Sequence, residues 1–250
     1  SVFVFDPDTH SWHLEQPDQA ATSLESDTLL ALPGPQFNLS FDGDFTVNGV
    51  PLLLPAAKPT PRSQHEQLHG DTGRSVWEGA VLLTKLLEKS PGLVAGREVL
   101  ELGAGRGVAG LGALRLGARR AVLTDLGYCL DGLHEAVELN GLGQAEGLEV
   151  VELDWQRPEA FLRARPAEHF DLVLAADVVW LLELVAPLVE ALQAICKENP
   201  DADVLVMHRS RAANVEEAFL ASMAGSFELL WELRGRDASQ GQGQGQGQGQ

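Results

Sequence analysis

The segment Glu101-Leu102-Gly103-Ala104-Gly105-Arg106-Gly107-Val108-Ala109-Gly110 sets an acid ahead of three glycines at alternate positions. A strand pattern precedes it and a helical pattern follows, the context in which a glycine-rich turn lets the backbone approach a ligand. The plain alternative is a tight strand-to-helix turn whose glycines serve packing alone. Dinucleotide sites of this shape place a pyrophosphate at the helix N-terminus. Glu101 is unfavourable beside a phosphate and suits a ligand that carries an ammonium group and a sulfonium. The next strand ends in Leu123-Thr124-Asp125, 24 residues after Glu101. A carboxylate there can accept both hydroxyls of a ribose, whether of NAD or of S-adenosylmethionine, or it can cap the following helix. A third carboxylate, Asp177, follows the apolar run Leu172-Val173-Leu174-Ala175. It can meet an incoming ammonium group, or cap the helix after it.

These residues share a site only if the intervening elements bring them to one edge. From Val76 onward the pattern is regular: Trp77, Ala80, Val81, Thr84 and Leu87 fall on one helical face, and Ser90-Pro91-Gly92 stops the helix. Strand-forming runs at Glu98–Leu102, Ala121–Asp125, Leu148–Asp154, Asp171–Ala175, Val204–Met207 and Phe227–Leu233 then alternate with helical stretches. Those stretches lie near Gly107–Leu116, Leu130–Leu139, Leu184–Cys196 and Val215–Ala224. The alternation predicts an α/β fold, a doubly wound, mostly parallel, Rossmann-like sheet. Its first four strands end on one edge, where ligands of such sheets bind.

Residues 1–72 form a Pro-rich extension with few bases. Within it Phe37-Asn38-Leu39-Ser40-Phe41 alternates, and Val47-Asn48-Gly49-Val50 carries a hairpin signal before Leu52-Leu53-Leu54. A small β-hairpin is expected there, as an appendage of the main domain at 73–239. Residues 240–250 alternate Gln and Gly and predict a disordered tail.

Thirty-six acids against 18 bases give the 250 residues a net charge of −18. That balance disfavours nucleic acid and anionic membrane as partners. No apolar run is long enough for a membrane-spanning helix, and the N-terminal residues show no secretory signal. Cys129 and Cys196 are isolated, as expected of a reduced, cytoplasmic protein, with the nucleus as the alternative compartment. His65 and His69 stand four apart without an acid pattern, so no metal site is expected. No Gly-x-Ser-x-Gly elbow occurs, which leaves hydrolase chemistry unsupported.

At four places, in order and spacing, the sequence resembles the seven-β-strand methyltransferases. More narrowly it is similar to the protein-lysine methyltransferases grouped with the valosin-containing-protein lysine methyltransferase. The places are Val76-Trp77-Glu78-Gly79-Ala80, Glu101-Leu102-Gly103-Ala104-Gly105, Thr124-Asp125, and Leu153-Asp154-Trp155 followed by Ala175-Ala176-Asp177-Val178-Val179-Trp180. The resemblance runs from about Gly73 to Val206. It implies S-adenosyl-L-methionine as cofactor and a monomer that methylates a lysine of a protein substrate. It implies further that Trp77 walls the cofactor's methionine end beside Glu101, that Gly103, Ala104 and Gly105 wrap that end, and that Asp125 holds the ribose. Trp155 is then expected beside the adenine and Ala176 against the cofactor, with Asp177 and Trp180 as the catalytic pair that positions the acceptor. For both Trp77 and Trp155, plain core packing is the alternative.

Two departures from that family stand out. Relatives usually carry Asp-x-x-Tyr after the fourth strand, and here Trp180 replaces the tyrosine; an indole has no hydroxyl but can flank a cation with its ring face. The seventh strand of the family follows the sixth, yet Phe227–Leu233 is followed by Arg234-Gly235-Arg236-Asp237 and no further run of strand formers. The expectation is a missing seventh strand, which leaves two strand edges unpaired, or a sixth and seventh strand merged into one, or a chain truncated or misread at its end. Methylation of a small molecule or another protein nucleophile, a non-catalytic binding module and a nicotinamide-dependent dehydrogenase are the competing readings.

Overall fold

A computed structural model of the chain describes residues 2–6, 45–55, 73, 75–209 and 212–233. Its strands are β1 (Val2–Asp6), β2 (Thr46–Val47), β3 (Val50–Pro51), β4 (Glu98–Leu102), β5 (Arg120–Asp125), β6 (Leu148–Glu152), β7 (Leu172–Ala176), β8 (Asp203–Met207) and β9 (Glu228–Leu233). Its α-helices are α1 (Glu78–Lys89), α2 (Val108–Arg115), α3 (Leu130–Leu139), α4 (Pro158–Ala164), α5 (Leu182–Glu198) and α6 (Ala213–Ala224). Every strand and helix expected from Val76 onward is present within a few residues of its expected ends. Helix α4 was not expected; it begins at Pro158, a residue pre-set for a first helical position.

The main sheet has the order β6-β5-β4-β7-β8-β1-β9. Strands β6, β5, β4, β7 and β8 pair in parallel. After β4 the chain winds out through β5 and β6, then returns past β4 to β7 and β8, which opens a crevice where the winding reverses. Side chains alternate across the strands. Leu100, Leu102, Val173, Ala175, Val204 and Val206 are buried on one face with residues of α4, α5 and α6. Val99, Leu172, Leu174 and Leu205 are buried on the other face, under α1 and α2. Burial on both faces is why these strands read as continuous apolar runs rather than alternating ones.

The expectation of a missing seventh strand is corrected by β1. Val2–Phe5 pair antiparallel with Val204–Met207 of β8, and Val2–Asp6 pair antiparallel with β9, with a bulge between Val4 and Phe5. Residues 2–6 thus occupy the place between β8 and β9. Both inner edges gain hydrogen-bond partners, which removes the cost of leaving them open.

The hairpin forms at β2 and β3 around Asn48 and Gly49, with φ of +53° and +73° as an Asn-Gly turn demands. Phe45, Val47 and Leu52 are buried with residues of α1, α2 and α3. Polar ties reinforce that packing: Lys85 Nζ donates to the Thr46 carbonyl at 2.6 Å, and Arg115 Nη1 to that of Pro51 at 2.6 Å. The Asn140 side chain bonds both backbone groups of Leu53. The expected strand at 37–41 and the Gln-Gly tail lie outside the described residues.

At the strand starts, the edge opposite the crevice, charges alternate. Arg120 pairs with Glu149 at 2.7 Å and with Glu168, and Arg165 pairs with the same two acids at 2.8 and 2.9 Å. Arg97 meets Asp203 at 2.6 Å and Arg119 meets Glu98 at 2.8 Å. Burial opposes ionisation of Glu149, but the guanidiniums of Arg165 and Arg120 outweigh it and hold its carboxyl below the ordinary value.

Candidate active site

Strand β4 ends at Leu102, and the chain turns sharply at Gly103 and Gly105, with φ of +64° and +55°. A side chain is strained at both, and at Gly103 it also has no room. A Cβ there would lie 2.8 Å from Val178 Cγ1 and 3.0 Å from Trp155 Cζ2. The turn is pinned to the end of β5. Ala104 N–H donates to the Thr124 carbonyl at 2.9 Å, and Gly105 N–H to Asp125 Oδ2 at 2.7 Å. Thr124 Oγ1 in turn donates to the Glu101 carbonyl at 2.7 Å. Asp125 Oδ1 accepts from the Leu126 N–H at 2.7 Å. A carboxylate has about four acceptor directions, so Asp125 can hold the turn and still receive hydroxyl donors.

Alternation along β4 sends Glu101 to the face covered by α2. It is 2 % exposed, and its Oε2 accepts from the Gly110 N–H at 2.9 Å. A Cβ on Gly110 would lie 2.5 Å from that oxygen, so only glycine fits there. Burial drives the Glu101 pKa up to about 8; the Gly110 N–H offsets part of this and the nearby Asp125 carboxylate adds to it. Among the described residues no cation forms an ion pair with it.

Strand β6 ends at Glu152, two residues before the expected end. Asp154 Oδ1 accepts from the Gln156 N–H at 3.0 Å, a side-chain turn that brings Trp155 to the crevice. Trp77 is the cap residue of α1, with extended backbone. Ala176 closes β7, and Asp177 follows it with a left-handed φ of +53°.

These pieces enclose a cavity of about 210 Å³ at the strand ends. All ten residues singled out in the sequence line it: Trp77, Glu101, Gly103, Ala104, Gly105, Asp125, Trp155, Ala176, Asp177 and Trp180. Three aromatic side chains, Trp77, Trp155 and Trp180, are half-buried in its wall.

Asp177 is engaged differently from the expectation. It is 7 % exposed, and its two oxygens accept backbone N–H groups, Oδ2 from Gly79 at 2.7 Å and Oδ1 from Arg209 at 3.1 Å. The helix it caps is α1, not the α5 that follows it in sequence. Among the basic residues after β8, the Arg209 guanidinium pairs with Glu78, and the buried His208 ring lies 6.1 Å from that of Phe219. Ser210 and Arg211, like His65 and His69, lie outside the described residues. No group of three His, Cys, Asp or Glu among the described residues is placed to hold a metal.

Sequence reasoning missed Arg106 and Tyr128, which also line the cavity. Arg106 is buried, and its guanidinium donates to the Pro55 carbonyl, tying the turn to the segment after the hairpin. Tyr128, the chain's single tyrosine, sits in a 3₁₀ turn at Gly127–Cys129. Nothing local marks either residue. Arg106 reads as the variable position of a glycine motif, and Tyr128 as a loop aromatic.

The sequence pattern of a family described as lysine methyltransferase matches residues 60–226. The chain belongs to the lysine methyltransferase family. Within that family it is similar to the protein-lysine N-methyltransferase EEF2KMT of Mus musculus, 28 % identical over 186 residues, or 68 % of this chain and 55 % of that protein. It is 34 % identical over 155 residues to the protein N-lysine methyltransferase METTL21A of Danio rerio, 62 % of this chain and 68 % of the relative. Against the protein-lysine N-methyltransferase EFM3 of Chaetomium thermophilum the match is 30 % over 167 residues, 61 % of this chain and 47 % of that one. The chain spans about half the length of two of these three relatives. No helix among the described residues is long and apolar enough to cross a membrane.

Proposed function

We propose that the chain binds S-adenosyl-L-methionine in the crevice cavity and methylates a lysine side chain of another protein. The observation that carries this reading is the convergence on one cavity of the glycine turn, Glu101 and Asp125 with the post-β7 segment. The cavity fits that cofactor chemically. Glu101 is a buried carboxyl group that forms no ion pair among the described residues, which suits the ammonium and sulfonium of the ligand. Asp125 suits a ribose, and Gly103 and Gly105 take the left-handed φ values that let the backbone of the turn line the cavity. Bound there, S-adenosylmethionine supplies a methyl carbon activated by its sulfonium for in-line displacement.

The chain's own residues position and desolvate. Trp77 and Trp180 line the cavity, where an indole can flank a cationic or methylated amine. The apolar wall disfavours the charged form of an incoming lysine, whose free pKa is about 10.4. Holding donor and acceptor together is the main contribution such an enzyme makes to a displacement. The net charge of −18 draws a basic protein rather than nucleic acid or an anionic membrane. We read the enzyme as a cytoplasmic monomer, in keeping with a sequence that holds only two cysteines, both buried.

The test is transfer of labelled methyl from S-adenosylmethionine into a cell lysate, followed by hydrolysis of the protein fraction. Labelled methyl-lysine is expected. Label confined to the small-molecule fraction, or to other protein side chains, would overturn the acceptor assignment.

A further inference from the structure

Three separate segments meet at Asp177. Its own N–H donates to the Met207 carbonyl of β8 at 2.8 Å. Its carboxylate receives the N–H of Gly79 in the first turn of α1 and the N–H of Arg209 beyond β8. A Cβ on Gly79 would lie 2.6 Å from Asp177 Cγ and 2.8 and 3.0 Å from the two oxygens, so the carboxylate packs flat against that turn.

The first N–H groups of a helix have no partner within the helix. At the start of α1 the cap residue Trp77 supplies no side-chain acceptor. Asp177 supplies it from another element, and its charge sits at the positive end of the helix dipole. The guanidinium of Arg209 adds a second tie by pairing with Glu78, whose side chain is 7 % exposed. Trp77 immediately precedes these two anchored residues, and Trp180 lies three residues past Asp177. One carboxylate therefore holds the roots of two cavity walls.

We propose that Asp177 is a positioning residue that fixes Trp77 and Trp180 in the cavity wall by capping α1 from outside, and that it does not itself receive the acceptor's ammonium. This rests on the proposed function above. Asp177→Asn keeps the size but turns one acceptor into a donor facing an N–H. Gly79→Ala presses on the same contact from the opposite side.

Both variants are expected to weaken S-adenosylmethionine binding about tenfold, the worth of one lost charge-assisted hydrogen bond. Binding is read by tryptophan fluorescence. Both are also expected to speed amide exchange at Gly79 and Arg209. Methyl transfer into lysate protein should then recover in part at saturating cofactor. If Asp177→Asn instead leaves cofactor affinity and amide exchange as in the wild type, and transfer stays low at saturating cofactor, the carboxylate contacts the acceptor and the proposal fails. If the wild type binds no S-adenosylmethionine, the functional reading fails. The cap is then still decided by amide exchange, since unchanged protection at Gly79 in Asp177→Asn refutes it.

Discussion

Glu101 is the group whose state most depends on whether the cavity is filled. With a pKa of about 8 in the folded, ligand-free protein, about nine-tenths of the molecules carry a protonated Glu101 at pH 7. A cationic ligand favours the carboxylate, so binding at pH 7 is expected to release up to about 0.9 proton. Affinity should rise about tenfold from pH 6 to pH 7 and level off above pH 8. Stability without ligand moves the other way. The folded pKa lies above the unfolded value, so this contribution is fully present below about pH 4.5 and is lost as pH climbs through 8. The loss is at most about 5 kcal/mol, at 1.36 kcal/mol per unit.

Calorimetry at pH 7 in two buffers of different ionisation enthalpy counts the protons released. The ligand's own amino group titrates near 7.7–8.0, so the measure is the difference between the wild type and Glu101→Gln. That difference is expected to be close to one proton. The variant should also bind more weakly and lose the decline in melting temperature between pH 6 and pH 9. Equal proton counts in the two proteins would show that Glu101 is ionised before the ligand arrives, and the reasoning would be refuted.

Three further perturbations bear on the fold and the site. Asp125→Ala should weaken S-adenosylmethionine binding about 100-fold, from two charge-assisted hydroxyl bonds at about 1.4 kcal/mol each; unchanged affinity by calorimetry would remove the ribose assignment. Val4→Pro breaks pairing in the strand between β8 and β9, which costs about 3 kcal/mol and about 6–12 °C in melting temperature; an unaltered melting curve would mean that β1 does not complete the sheet. Arg120→Met leaves Glu149 and Glu168 with Arg165 as their one remaining cation among the described residues and should cost about 1 kcal/mol. Because Glu149 is held below its ordinary pKa, its pairing is present above about pH 4.3 and lost on acidification. Acid unfolding should therefore begin at higher pH in the variant, and coincident acid titrations would count against the network.

Periodicity, turn chemistry and short-range spacing are properties of neighbouring residues, and they were enough for the parallel sheet, every helix but α4, and the glycine turn with Glu101 and Asp125. Glu101, Gly103 and Gly105 are legible because a strand end and a helix start fix their directions within a few residues. Asp125 follows from the same rule applied to the next strand, whose end must share that edge, whereas Trp77, Trp155 and Ala176 entered through the family resemblance. Trp180 and the role of Asp177 were legible only by resemblance.

Tertiary structure decided what depends on contacts between distant segments. Val2–Phe5 is a short apolar run that ends at Asp6-Pro7-Asp8, and nothing local says that it pairs with strands some 200 residues away. Only the two open edges of β8 and β9 give it a place. Asp177 likewise looks like the cap of the helix after it. The fold instead brings the first turn of α1, which lacks a side-chain cap of its own, against its carboxylate. A helix terminus takes the nearest acceptor in space, and chain order does not determine which residue that is.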